Sequence, residues 1–263
     1  MARSARKPSA TVWLFGRHAV TAAVANPERR WRRLAVLPGH EAEAAALIAG
    51  ARAPRHRDED DHGTEAVCVL DHQGFAALLP RHAVHQGLAL EVEPLPEPDL
   101  DDVLQVARPA AGRVIIVALD QPSDPQNVGA VLRSAAAFGA LAVLLPAHRA
   151  PPMTGTLAKA ASGALERVPL VRVINLTRAL DRLKRAGFWI CGLDETATQS
   201  LGQLDAGDRV AIVLGSEGGG MRRLTRERCD FLARLPTRPA QPTLNLSNAA
   251  AVALYELVRD QQR

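Results

Sequence analysis

Cysteine occurs three times in this chain, at Cys68, Cys191 and Cys229, and lysine three times, at Lys7, Lys159 and Lys184. An odd, widely spaced set of thiols with no CxxC pair supports neither a disulfide framework nor a zinc site, and fits a reducing cytosol. Long apolar runs are missing as well: no segment approaches the roughly 18 apolar residues of a membrane helix. The run from Val12 to Phe15, behind the basic start MARSARKPSA, is too short for a signal peptide's core. We therefore expect a soluble cytoplasmic protein with no membrane partner, whose residues 1–10 form a flexible basic arm. Neither a GxGxxG fingerprint nor a P-loop Lys-Ser/Thr pair is present, which removes the usual glycine-loop nucleotide readings. Histidines in the exposed loop Arg52 to His62 show no ligand spacing, so no metal is expected.

What is abundant is arginine. Lys and Arg together number 32 in 263 residues, for a net charge of +4, and all but three of them are Arg. Arg reads phosphate with a fork and stacks on bases, which suits an RNA partner, although a genome rich in Arg codons accounts for the same count. Two clusters concentrate the charge: Arg29, Arg30, Arg32 and Arg33 around Trp31, and Arg222, Arg223, Arg226 and Arg228. Either could be a solvated surface.

The acidic, proline-dense stretch Glu91 to Pro98 divides two regions of different composition. We read residues 11–90 as a small α/β domain, 91–111 as a linker and 112–263 as a second α/β domain. In the second, buried parallel strands are predicted at Val114 to Leu119, Ala142 to Leu145, Phe188 to Leu193, Val210 to Leu214 and Phe231 to Leu235. Helical spacing marks Val128 to Phe138, Leu176 to Ala186 and Asn245 to Arg259. Ligands in such folds bind beyond the carboxyl ends of the strands, where three polar stretches fall.

The first stretch, from Asp120 to Arg133, offers Asn127 as a helix cap, Gly129 for close backbone approach, and Arg133 as an anion ligand near the helix start. The second, Leu214-Gly215-Ser216-Glu217-Gly218-Gly219-Gly220, has four glycines in six positions, enough to pack backbone around a flat ligand. In the third, three prolines stiffen the approach to Thr243, Asn245 and Ser247, one of which should cap the last helix.

In this order the three stretches resemble the motifs of the SpoU/TrmH family of RNA ribose 2'-O-methyltransferases, in the SPOUT superfamily: N-x-G-x-x-x-R, L-G-x-E, and a proline loop followed by S-L-N. Phe15-Gly16-Arg17-His18-Ala19-Val20 and His85-Gln86-Gly87 are similar to the L30e-like substrate-binding domain of the 23S rRNA guanosine 2'-O-methyltransferase branch. The resemblance implies a deep trefoil knot in the C-terminal α/β domain and S-adenosyl-L-methionine as methyl donor. It also implies a homodimer that completes the site. Carried over by motif, Leu214, Gly215, Leu235 and Leu244 contact the cofactor, and Arg133, Asn127, Glu217, Thr243 and Asn245 form the catalytic set. Arg133 is expected to hold the phosphate beside the target ribose and stabilise the developing alkoxide. The chain departs from the family at Thr237 and Pro239, where Met and Gly are usual, and at Thr243, which replaces Ser but keeps the hydroxyl. Alternatives are a tRNA or other rRNA 2'-O-methyltransferase, and a catalytically silent L30e-like RNA-binding protein.

Overall fold

The computed structural model describes residues 11–55, 66–148, 150–216, 218–238, 240 and 243–259. The basic arm, His56, His62, Glu217 and Pro239 lie outside the described residues. The chain forms two compact units, Met1–Pro96 with Met153–Glu166, and Glu97–Pro152 with Arg167–Arg263.

In the first unit the elements are β1 (Val12–Phe15), α1 (Arg17–Ala25), β2 (Trp31–Val36), α2 (Glu41–Ala49), β3 (Val67–Val69), α3 (His72–Leu78) and β4 (Leu88–Val92). The sheet runs β1-β4-β2-β3, with β4 antiparallel to both neighbours and β2 parallel to β3. All five residues of the central strand β4 are buried. The first arginine cluster is largely consumed inside this unit. Arg33 lies opposite Glu91 in the β2–β4 register and pairs with it at 2.7 Å, while Arg32 pairs with Glu93. Arg29 is 3% exposed and forks onto Glu166. Cross-strand pairing of opposite charges thus replaces the open basic surface expected from residue type alone.

The second unit opens with α4 (Leu100–Ala107), inside the stretch read as a linker. Asp99 and Asp102 form a capping box there, and Leu100, Val103 and Ala107 are buried. Along the chain follow β5 (Val114–Leu119), α5 (Pro125–Ala137), β6 (Ala142–Pro146), α6 (Gly155–Ala161), β7 (Leu170–Val173), α7 (Leu176–Arg185), β8 (Trp189–Leu193), β9 (Arg209–Leu214), α8 (Arg223–Arg226), β10 (Phe231–Ala233) and α9 (Leu246–Val258). Six of these strands form one parallel sheet in the order β10-β8-β9-β5-β6-β7. Every residue of β5 and β6 is buried, as their unbroken apolar runs require. β7 has no clear signature in the sequence, because Arg172 interrupts a run of only four residues. Alternate residues Ile116 and Ala118 pack with α4 and α7 in one apolar cluster. The opposite side chains of β5 point to the other face.

Between β6 and β7 the chain leaves the second unit, and α6 belongs to the first. Gly155 explains how closely α6 meets β1: a Cβ at this position would run into the Trp13 carbonyl.

Candidate active site

Strands β10, β8 and β9 are neighbours, so their carboxyl ends at Ala233, Leu193 and Leu214 lie side by side. The loops leaving them surround a cavity of about 340 Å³, within the size range of small-molecule sites. Leu214, Gly215, Leu235 and Leu244, the four positions expected to meet a cofactor, all line it, and so does Thr243. These residues lie as far apart as 30 positions in sequence, and the parallel sheet brings them together.

The glycine loop is a tight hairpin. Ser216 and Gly220 exchange two backbone hydrogen bonds, each 3.0 Å. Gly215 is pressed so closely against the Gly220–Met221 backbone that a Cβ would overlap it. Glycine here is a packing requirement, because no other residue leaves that backbone in place.

The helix starts differ from expectation in one respect. Asp124, not Asn127, caps α5, accepting from the Gln126 amide at 2.9 Å, with Pro125 as the first helical residue. Asn127 is therefore inside the first turn, and its side-chain oxygen accepts from Asn245 Nδ2 at 3.2 Å. Asn245 in turn caps α9, accepting from the Ser247 amide at 2.9 Å and its hydroxyl at 2.7 Å. Two residues 118 positions apart thus join the beginnings of two helices.

Because α5 starts upstream, Arg133 lies two turns inside it rather than at its exposed beginning. Its side chain is exposed, is not part of the cavity wall, and makes no hydrogen bond or ion pair among the described residues. The catalytic candidates therefore divide: Thr243 lines the cavity, Asn127 and Asn245 are bonded to each other, and Arg133 stands apart. Glu217 lies outside the described residues.

Sequence reasoning missed one wall. Asp194, Glu195 and Thr196, which follow β8, line the cavity together with Arg226. Asp194 pairs with Arg226 at 3.2 Å and accepts from the Thr196 amide at 2.8 Å. The signal was available, since this too is a polar stretch at the end of a buried strand. Apolar leucines and side-chain-free backbone suit a flat heteroaromatic ring, and the charged pair suits a zwitterionic end. Burial raises the Cys191 and Cys229 thiols to about 12, so neither is a thiolate nucleophile at neutral pH. Among the described residues no group of three or more His, Cys, Asp or Glu could hold a metal ion, and no helix is long and apolar enough to cross a membrane.

A family model described as the SpoU rRNA Methylase family matches residues 114–255, which contain all three strand-end stretches. The chain belongs to this family. It is 38% identical over 256 residues to the 23S rRNA (guanosine-2'-O-)-methyltransferase RlmB of Pseudomonas aeruginosa, covering 94% of this chain and 95% of that one. An uncharacterized tRNA/rRNA methyltransferase of Synechocystis, slr0955, is 37% identical over 250 residues; the match covers 94% of this chain but 62% of that protein's length. Among solved structures, the SpoU methyltransferase AviRb of Streptomyces viridochromogenes, in complex with the cofactor AdoMet, superposes with a TM-score of 0.76 at 24% identity. That match covers 96% of this chain and 91% of AviRb. The likeness shows that this SpoU-family chain shares AviRb's α/β fold.

Proposed function

We propose that this SpoU-family chain transfers a methyl group from S-adenosyl-L-methionine to a ribose 2'-hydroxyl of RNA, at a guanosine of 23S rRNA. One observation carries the reading: Leu214 and Gly215, Leu235, and Thr243 and Leu244, from three separate segments, line one cavity at the ends of parallel strands. Support for the 23S rRNA guanosine comes from the near-complete overlap with the Pseudomonas enzyme of that name.

S-adenosyl-L-methionine, when bound, supplies a methyl group on a sulfonium centre. Gly215 and the three leucines hold it, through backbone groups and apolar contact. A guanidinium does not serve as a general base in proteins; Arg133 instead grips the phosphate beside the target ribose and stabilises the alkoxide as it forms. Thr243, Asn127, Asn245 and Glu217 orient the ribose or the guanidinium, and the hydroxyl proton leaves through phosphate or water.

Arg133 is not part of its own cavity wall, and the reading therefore includes a homodimer in which a second copy completes the site. Val252 and Tyr255, three residues apart on α9, are 44% and 55% exposed and offer an apolar face for that contact. The same reading takes the C-terminal region, residues 112–263, as a trefoil-knotted domain, and residues 11–90 as an L30e-like RNA-binding domain in a cytoplasmic enzyme.

Incubation with radiolabelled S-adenosyl-L-methionine and unmodified 23S rRNA, 16S rRNA and tRNA tests the reading. Label is expected as a 2'-O-methylguanosine in 23S rRNA; label in tRNA alone would replace the substrate, and none in any RNA would leave an RNA-binding protein. Gly215→Ala should separately weaken S-adenosylhomocysteine binding by at least about tenfold in a calorimetric titration, because the new methyl forces the hairpin away from its present course. Wild-type affinity in that variant would show that the cofactor does not depend on the hairpin.

A further inference from the structure

We infer that Asp120 and Arg222 form a strap that sets the position of the glycine loop and, through it, the affinity for the methyl donor. The inference rests on the cofactor reading above. Asp120 follows β5 directly, and its side chain is fully buried. Its backbone N–H donates to the Leu214 carbonyl at 2.8 Å, at the entrance to the loop. Its carboxylate accepts from the Arg222 backbone N–H at 2.8 Å and from Nε at 2.7 Å, with Nη2 at 2.6 Å, at the exit. One residue therefore grips both ends of the segment that contains Gly215, Ser216, Gly220 and Met221, all of which line the cavity.

The loop needs such a constraint. With four glycines in six positions it has more conformations to lose than any other part of the cavity wall. A carboxylate removed from water requires charged, well-directed donors, which the Arg222 fork and amide supply. The asymmetry of the pair assigns the roles: Asp120 is the buried anchor, whereas the Arg222 side chain is 46% exposed. Neither residue lines the cavity, so both are positioning residues that act through the loop. Where a binding-competent loop is only fractionally populated, apparent affinity falls by that fraction.

The test uses the full chain with Arg222→Met, which keeps the stem and loses the charge, and Arg222→Lys, which keeps the charge and loses the fork. S-adenosylhomocysteine is titrated calorimetrically, and kcat and donor KM are measured with 23S rRNA. For Arg222→Met, Kd and donor KM should rise together by about tenfold, while kcat at saturating donor changes by less than about twofold. Arg222→Lys should recover part of the affinity. Asp120→Asn should move the same way; should it misfold, the surface variants still decide. Unchanged Kd in Arg222→Met, or a fall in kcat with Kd and KM unchanged, overturns the inference. A wild-type chain that binds no S-adenosylhomocysteine removes the cofactor reading itself, a result distinct from either.

Discussion

Arg133→Ala is expected to lower the rate of ribose methylation by roughly 10² to 10³-fold, the usual loss when one donor to a developing oxyanion is removed. The geometry makes the prediction specific. Arg133 is exposed on α5 and makes no ion pair or side-chain hydrogen bond among the described residues, so its charge is not needed to hold this protomer together. The variant should therefore fold normally and bind S-adenosylhomocysteine with wild-type affinity. Arg133→Lys keeps the charge but not the two-pronged donor, and should recover only a small part of the rate. Single-turnover methyl transfer beside a calorimetric titration separates these effects. Full activity in Arg133→Lys would refute the forked contact, and full activity in Arg133→Ala would remove Arg133 from the mechanism.

The largest loss of stability is expected in the first unit, from Glu166→Gln. Glu166 accepts from Arg29 Nε at 3.2 Å, Arg29 Nη2 at 2.5 Å and Asn26 Nδ2 at 2.7 Å, and the two charged side chains are 3% and 4% exposed. Arg29 also donates to the Glu93 carbonyl at 2.9 Å. Removing one charge leaves the guanidinium buried without its counter-ion, which costs about 3–5 kcal/mol. Replacing both partners with Met removes the orphaned charge and should restore most of that loss. Urea unfolding followed by far-ultraviolet circular dichroism reads both variants. A loss below about 1 kcal/mol in Glu166→Gln, the range of exposed pairs, would show that water reaches the site.

Those two residues illustrate where reading a sequence stops. Arg29 belongs to a cluster that local composition marks as a basic surface, yet its partner lies 137 positions away on a segment that leaves one unit and joins the other. Asp120 and Arg222, 102 positions apart, carried no local sign of their pairing. By contrast β5, β6 and β9 were legible because a strand buried on both faces must be apolar throughout, and that pattern is local. α4 is masked because Pro94, Pro96 and Pro98 give its surroundings the composition of a linker, although the Asp99–Asp102 capping box marks its start. The cap expected at Asn127 lies three residues upstream, because Asp124 and Pro125 make a better helix start.

Local pattern is enough to say which chemistry this chain carries: three polar stretches at strand ends, with residue types and order specific enough to name a family. Strand order and packing settle which of them share a cavity, which arginines are already neutralised, and that Arg133 is not part of that cavity's wall. The reason is physical. Hydrophobic period and capping depend on neighbours a few positions apart, whereas a cavity and a buried ion pair depend on strand order and on groups a hundred residues distant, which no local pattern records.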